Sequence, residues 1–349
     1  MLRISGESLQ SQKQLSFKND FLVNKMARAE EISDSGSMAA EVITTLSGRE
    51  SALLVAKTVL KNPAAIVRFW VMSPGEERYV RPPRRYELPA YHDGMRHCTS
   101  DEKYLRPTLY CNPREPLVIA MANDLGAYEK PDYEFAEAAN EFITHNMTLS
   151  VCPFADVGTT LKRGTGSCWN LINVFVALCR AAGIKARITG VKRVMTEEDQ
   201  EAMSSLDPFF GEIYVAMADV FALGEACIDG VWMGVDLTAC PEIQAVRGLP
   251  IKKLGEGLMA SETVNDPSQE WHSESMPRFA ARGMKMLRWL APAMNERVNV
   301  GILRQYALGR EVIKEAGGIE AYNQRAREKW GLTSPVIEAK DDPALVFED

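Results

Sequence analysis

The sequence predicts an α+β core with helical additions at both ends, and three observations carry that expectation. A Gly-rich turn at 164–167 runs straight into an apolar stripe, Leu171, Ile172, Phe175, Leu178, Cys179 and Ala182, whose spacing is that of a helix of about four turns. Ile184 to Val194 then reads as a strand. Farther on, Asp229-Gly230 separates two strand-like runs, Ala218 to Ile228 and Val231 to Thr238, and is the strongest short hairpin signal in the chain. With 349 residues, 46% of them hydrophobic, the chain can fill a substantial core.

The elements follow in order. Residues 1–35 are polar, with a Ser-Asp-Ser-Gly-Ser patch at 33–37, and read as a loose arm. Apolar residues at helical spacing between Met38 and Met72, broken at Asn62-Pro63, predict two or three helices. Ser73 to Pro116 holds seven of the 18 prolines and is a long surface connection. Within it Arg78, Arg81, Arg84 and Arg85 alternate with Tyr79 and Tyr86, a pattern that reads better as a solvated loop anchored by its tyrosines than as a docking patch for an acidic partner or phosphate. Two helices are expected next, Leu117 to Gly126 and Tyr133 to Asn146. Gly183 ends the central helix, as a left-handed cap residue does. Gly248 to Glu262 reads as connective, and 261–277 as a polar stretch with a turn at Asp266-Pro267-Ser268. Met276 to Asn299 and Val300 to Trp330 predict further helices, interrupted at Gly317-Gly318, before a mobile tail from Thr333. The organisation expected is an N-terminal helical element and Pro-rich connection (1–111), a core (112–245) and a C-terminal helical extension (246–349).

Composition narrows the function classes. Forty Lys and Arg against 47 Asp and Glu give a net charge of -7, which offers no electrostatic footprint for nucleic acid. No apolar run approaches the roughly 20 residues of a membrane span, and Met1 to Asn24 lacks a signal peptide's apolar centre, so a cytoplasmic protein with no membrane partner is expected. Seven cysteines without a CxxC pair suggest reduced thiols, neither a disulfide framework nor a metal site, and no cofactor. Histidine is scarce: His92, His97, His145 and His272 are the four in the chain.

Gly164-Thr165-Gly166-Ser167-Cys168 sets Cys168 in the first turn of the central helix, where unpaired N–H groups and the macrodipole favour a thiolate and can bind an oxyanion. Gly166 and Ser167 shape that turn. Counted outward from the Asp229-Gly230 turn, Glu225 pairs with Gly234, Leu223 with Asp236 and Phe221 with Thr238, so Phe221, Leu223, Glu225, Asp236 and Thr238 share one face and two carboxylates, Glu225 and Asp236, lie diagonally across it.

The order of Gly-x-Gly-x-Cys, then Leu178-Cys179-Arg180-Ala181-Ala182-Gly183-Ile184-Lys185-Ala186-Arg187, then a hairpin ending Gly-Val-Trp-Met-Gly-Val-Asp-Leu-Thr (230–238), resembles the transglutaminase-like core over roughly 112–240. The resemblance implies a papain-like α+β domain, its nucleophile helix packed on an antiparallel sheet. It also implies thiolate attack on an amide or thioester, with a histidine as general base and an aspartate orienting it. The nucleophile carries over to Cys168 and the aspartate to Asp236. The histidine does not, for Phe221 stands at its position in Phe-Ala-Leu-Gly-Glu (221–225). Three functions follow as expectations. One is a Cys168-dependent acyl-transfer or amide/thioester-processing enzyme acting on a peptide, amide or carrier-bound acyl group, with Glu225, its pKa raised by burial, or a distant histidine assisting. Another is a catalytically degenerate domain that binds or scaffolds. The third keeps the fold and binds a small molecule in its pocket without covalent chemistry. His92 and His97 are the loop histidines able to cross a cleft, while His145 and His272 read as solvated.

Overall fold

The computed structural model describes residues 82–152, 154–191, 221–256, 271–276 and 292–332, with 42–44, 195–196, 346–347 and scattered positions in 53–63 and 201–211. Met1–Val42 and Ile43–Asp349 are separate units, and every element labelled here belongs to the second. The expected N-terminal arm, most of the helices expected in 38–72, Arg78, Tyr79 and Arg81 lie outside the described residues.

Helices α1 (Pro116–Asp124) and α2 (Asp132–Asn146) form where two were expected. Pro116 opens α1 at a position where a missing N–H leaves nothing unsatisfied. Strand β1 (Thr148–Leu149) follows, then α3 (Val157–Arg163), strand β2 (Thr165–Gly166) and the central helix α4 (Cys168–Ala181). No apolar stripe announces α3. Its ends are made locally, by Asp156 accepting the Thr159 N–H at 2.7 Å and by Gly164 turning left-handed at φ 70°. Every α4 residue from Trp169 to Ala181 is buried, as a helix apolar on all its faces requires.

Strands β3 (Ala186–Val191), β4 (Phe221–Ile228), β5 (Val231–Val235), β6 (Trp271–Ser273) and β7 (Val346–Phe347) make one sheet in the order β5-β4-β3-β6-β7. Neighbours are antiparallel except β6 and β7, which run parallel. Asp229 (φ 52°) and Gly230 (φ 82°) supply the two left-handed residues of the hairpin turn. The expected Ile228/Val231 and Glu225/Gly234 pairs form, but the ladder stops at Gly224/Val235. The expected Leu223/Asp236 and Phe221/Thr238 pairs do not form, because Asp236 Oδ1 accepts the Thr238 N–H at 2.9 Å and its hydroxyl at 2.6 Å and curls the chain out of the sheet.

Helix α4 packs against α1, α2 and α3 and against β3 and β4. A Cβ at Gly224 would lie 2.9 Å from the Phe175 ring, so this glycine lets strand and helix approach closely. Successive residues alternate across a strand, so Glu225 and its neighbours Arg187 and Thr189 occupy the opposite face of the sheet. His272, paired with Thr189, joins them. Arg180 is wholly buried near the end of α4 and donates to the carbonyls of Ala186, Arg106 and Glu274.

Between the strands of the sheet, in chain order, come α5 (Pro241–Arg247) before β6, and α6 (Pro292–Glu315) and α7 (Ile319–Lys329) before β7. The break expected at Asn299-Val300 is absent, since α6 runs through it. The break at Gly317 (φ 90°) and Gly318 (φ 117°) is present. Gly309 lets α6 lie against α5, for a Cβ there would sit 2.0 Å from the Glu242 carbonyl oxygen. Two expectations are corrected: 271–273 is strand rather than polar connection, and Val346–Phe347 of the tail pairs with it. Among the described residues no helix is long and apolar enough to cross a membrane.

Candidate active site

The turn before α4 is built so that one side chain of the helix stays open. Gly164 caps α3, and at Gly166 a Cβ would fall 2.5 Å from Asn170 Cβ. Asn170, in the first turn of α4, holds the turn shut. Its Oδ1 accepts from Ser167 N at 3.1 Å and Ser167 Oγ at 2.7 Å, while its Nδ2 donates to the Ala155 carbonyl at 3.2 Å. Cys168 is therefore displayed at the helix N-terminus, half-buried, the one α4 residue that is not fully enclosed.

Burial dominates the electrostatics of that thiol and pushes it up to about 11. The Trp169 N–H, and more weakly that of Cys168, pull it down as a helix N-terminus should, but the Asp236 carboxylate and the nearby Cys152 push it up again. The thiolate expected from the helix terminus alone is thus outweighed. Asp236, at the curl that ends β5, is the carboxylate that acts on Cys168.

Glu225 is elsewhere. It is fully buried on the face of the sheet opposite α4, with Arg187 Nε 2.7 Å from Oε2 and His272 Nδ1 3.4 Å from the same oxygen. Arg187 also lies over the Trp232 ring at 3.8 Å. Burial pushes the Glu225 carboxyl up, yet hydrogen bonding from His272, the Arg187 charge and a hydrogen bond from Thr189 outweigh it and hold the group at about 2. The pKa raised by burial that would fit Glu225 for acid catalysis is reversed, and the expected diagonal pair with Asp236 is not made.

Two of the imidazoles, those of His272 and His97, are likewise placed away from the thiol. His272, read as solvated, is wholly buried with its Nδ1 2.9 Å from Thr189 Oγ1. His97 precedes Cys98, whose N–H donates to the Ala181 carbonyl at the C-terminal end of α4, about 20 Å from Cys168 at 1.5 Å per residue. His92 sits in an exposed turn closed by the Met95 N–H on its carbonyl. His145 ends α2, its Nδ1 2.9 Å from the Glu141 carbonyl oxygen. Phe221 opens β4 opposite Val191; its side chain lies outside the described residues.

Two site residues went unread in the sequence. Asn170 stands three residues after Ser167, a helix-start signal of the capping-box kind, and Cys152 continues the strand that pairs with the Gly-rich turn. In the described part of the cation cluster of the Pro-rich loop, Arg84 donates to the Lys162 carbonyl, Arg85 pairs with Glu242 at 3.0 Å, and Tyr86 donates to the Leu161 carbonyl at 2.6 Å.

Residues 119–237, about a third of the chain, match the family described as the transglutaminase-like superfamily. No curated protein matches. A solved structure from Cytophaga hutchinsonii, described as "a putative cysteine protease", is similar at 24% identity over 40% of this chain, with a TM-score of 0.30. The chain spans 42% of the length of that structure's chain.

Proposed function

With residues 119–237 as a transglutaminase-like core, we propose that the protein is a cysteine-dependent acyl-transfer or thioester-processing enzyme with Cys168 as nucleophile. The observation that carries this reading is Cys168 at the head of α4, the one residue of that helix that is not fully buried, its thiol under the influence of the Asp236 charge. Cys168 Sγ attacks the acyl carbon as its proton passes to the carboxylate or to water. The N–H groups of Cys168 and Trp169, already turned toward the sulfur, face the developing oxyanion, whereas the Ser167 N–H is engaged by Asn170. Collapse expels the leaving group, and water or an amine then takes the acyl group from sulfur.

The substrate class follows from the thiol. At about 11, roughly one molecule in 10,000 carries thiolate at pH 7, and no imidazole among the described residues stands ready to protonate a departing amine. A thioester leaves as thiolate and needs little such help, so carrier-bound or other activated acyl groups suit this site better than amides. The test is turnover of a small thioester and its amide analogue by wild type, Cys168→Ala and Asp236→Asn. Thioester hydrolysis lost in Cys168→Ala is the expected outcome. Equal rates in wild type and Cys168→Ala refute the proposal. The high thiol pKa specifically favours one second reading, a degenerate domain that binds acyl or peptide groups, and that reading gains if binding persists without turnover.

A further inference from the structure

Chain direction brings the end of β5 to the head of α4. Gly183 N–H donates to the Arg180 carbonyl at 3.0 Å and Ile184 N–H to that of Cys179 at 2.9 Å, so the chain turns back after α4 and β3 runs along the helix toward its N-terminus. Strand β4 is antiparallel to β3 and β5 to β4, so β5 runs parallel to β3 and its last residues reach the end of the core where Cys168 opens α4. The place of Val235 agrees, for a Cβ added at Gly224 would lie 3.5 Å from Val235 Cγ1 and 2.9 Å from Phe175 Cδ1, which puts the residue before Asp236 beside the helix. Past Val235 the chain closes into a turn over 236–239. The Asp236 carbonyl accepts the Ala239 N–H at 3.2 Å, and Asp236 Oδ1 accepts the Thr238 N–H at 2.9 Å and the Thr238 hydroxyl at 2.6 Å. Two donors fill the two lone pairs of Oδ1. Oδ2 takes no hydrogen bond among the described residues and is the carboxylate oxygen left to act on the thiol. Leu237 is buried and pegs the turn to the core, while Asp236 and Thr238 on either side of it are half-buried.

We propose that Thr238 is a positioning residue whose hydroxyl, with its amide, pins Asp236 Oδ1 and so presents Oδ2 as the oxygen that receives the Cys168 proton. The inference rests on the reading of Cys168 as an acyl-transfer nucleophile and specifies how the carboxylate serves it. As the bond from Cys168 Sγ to the acyl carbon forms, the S–H bond breaks and its proton goes to Oδ2. When the adduct collapses, the departing thiolate takes that proton. The groups that bear on the thiol are the Asp236 and Cys152 side chains and the N–H groups of Trp169 and Cys168, so Asp236 is the carboxylate whose orientation matters there. Without the Thr238 hydroxyl, Oδ1 keeps a single backbone bond, and the carboxylate turns about Cβ–Cγ and exchanges its two oxygens. A proton acceptor displaced in this way acts less often in the reactive geometry.

The first test is the rate at which iodoacetamide alkylates Cys168 in the full chain at pH 8, read by peptide mass spectrometry. The Asp236 charge keeps the thiol protonated, so a carboxylate released from Thr238 relaxes that hold. Thr238→Val should label at least about threefold faster than wild type, Thr238→Ser should label as wild type does, and Thr238→Val should add nothing in an Asp236→Asn chain, where no charge is left to position. Equal rates in wild type and Thr238→Val overturn the proposal, and so does the same gain in both backgrounds, which a merely loosened turn would give. Thr238→Ala also removes the hydroxyl, and its rates decide by the same criteria if Thr238→Val does not fold. The second test is turnover of a small thioester. Thr238→Val should lower kcat about tenfold with KM unchanged, and Thr238→Ser should restore it. The alkylation arm uses no acyl chemistry. The expected labelling pattern without thioester turnover by wild type sinks the reading of Cys168, whereas turnover that is lost in Cys168→Ala and untouched in Thr238→Val sinks the positioning role.

Discussion

At the scale of single residues, Cys168 and Asp236 are electrostatically linked, and the link makes a measurable claim on each. Burial and the Asp236 charge both keep the thiol protonated. Alkylation of Cys168 by iodoacetamide, followed by peptide mass spectrometry, should therefore rise by about tenfold per pH unit from 7 to 10 without a plateau. Asp236→Asn should lower the apparent thiol pKa and speed labelling at pH 8. Glu225 titrates in the opposite sense. Its folded pKa, about 2, lies below the ordinary carboxyl value of 4.5, so its stabilisation is present above pH 4.5 and is lost as pH falls through 2. The shift corresponds to about 3 kcal/mol, and Glu225→Gln, which leaves Arg187 buried beside an uncharged amide, should lower the urea-unfolding free energy by at least that order. Among these residues the placement of Cys168 at the head of α4 was legible, because a glycine-rich helix start is a local signal, whereas the curl at Asp236 was not. The burial of His272 was not, since three strand residues in a polar stretch carry no periodicity and their place is fixed by Thr189 and Glu225, far away in sequence.

At the scale of elements, the turn from Gly164 to Ser167 determines whether Cys168 faces outward. Gly166→Ala puts a methyl group into Asn170, and overpacking of this kind costs about 1–3 kcal/mol. The expected readout is a lowered melting temperature together with a changed Cys168 labelling rate, whereas Gly183→Ala, with nothing within 4 Å but a φ of 87°, should lower stability and leave labelling as it is. Elements with a stripe or a strong turn, α1, α2, α4 and the β4–β5 hairpin, could be read from the chain. Helices α3 and α5, each of seven residues, are made by caps and tertiary packing and left no stripe to read. The ladder between β4 and β5 was traceable outward from Asp229-Gly230 only until Asp236 bonded to its own neighbour Thr238.

At the scale of the whole molecule, the α+β core stands where its three motifs put it, and helix α6 lies against the segment 148–151. The buried thiols also set an alkaline limit. Cys168 (about 11) and Cys240 (about 12) are both raised above the ordinary thiol value, so the stability they contribute is complete below about pH 9 and is lost as pH climbs toward their folded values. Melting temperature should accordingly be level between about pH 5 and pH 9 and fall on both sides, with Glu225 governing the acid limb. The role of Cys168 itself is tested most directly by intact-protein mass spectrometry after brief exposure of the full chain to a small thioester at pH 9. One acyl group per chain, mapped to Cys168 and absent from Cys168→Ala, is the result expected of an acyl-transfer enzyme. An unmodified Cys168 in the folded protein would contradict it.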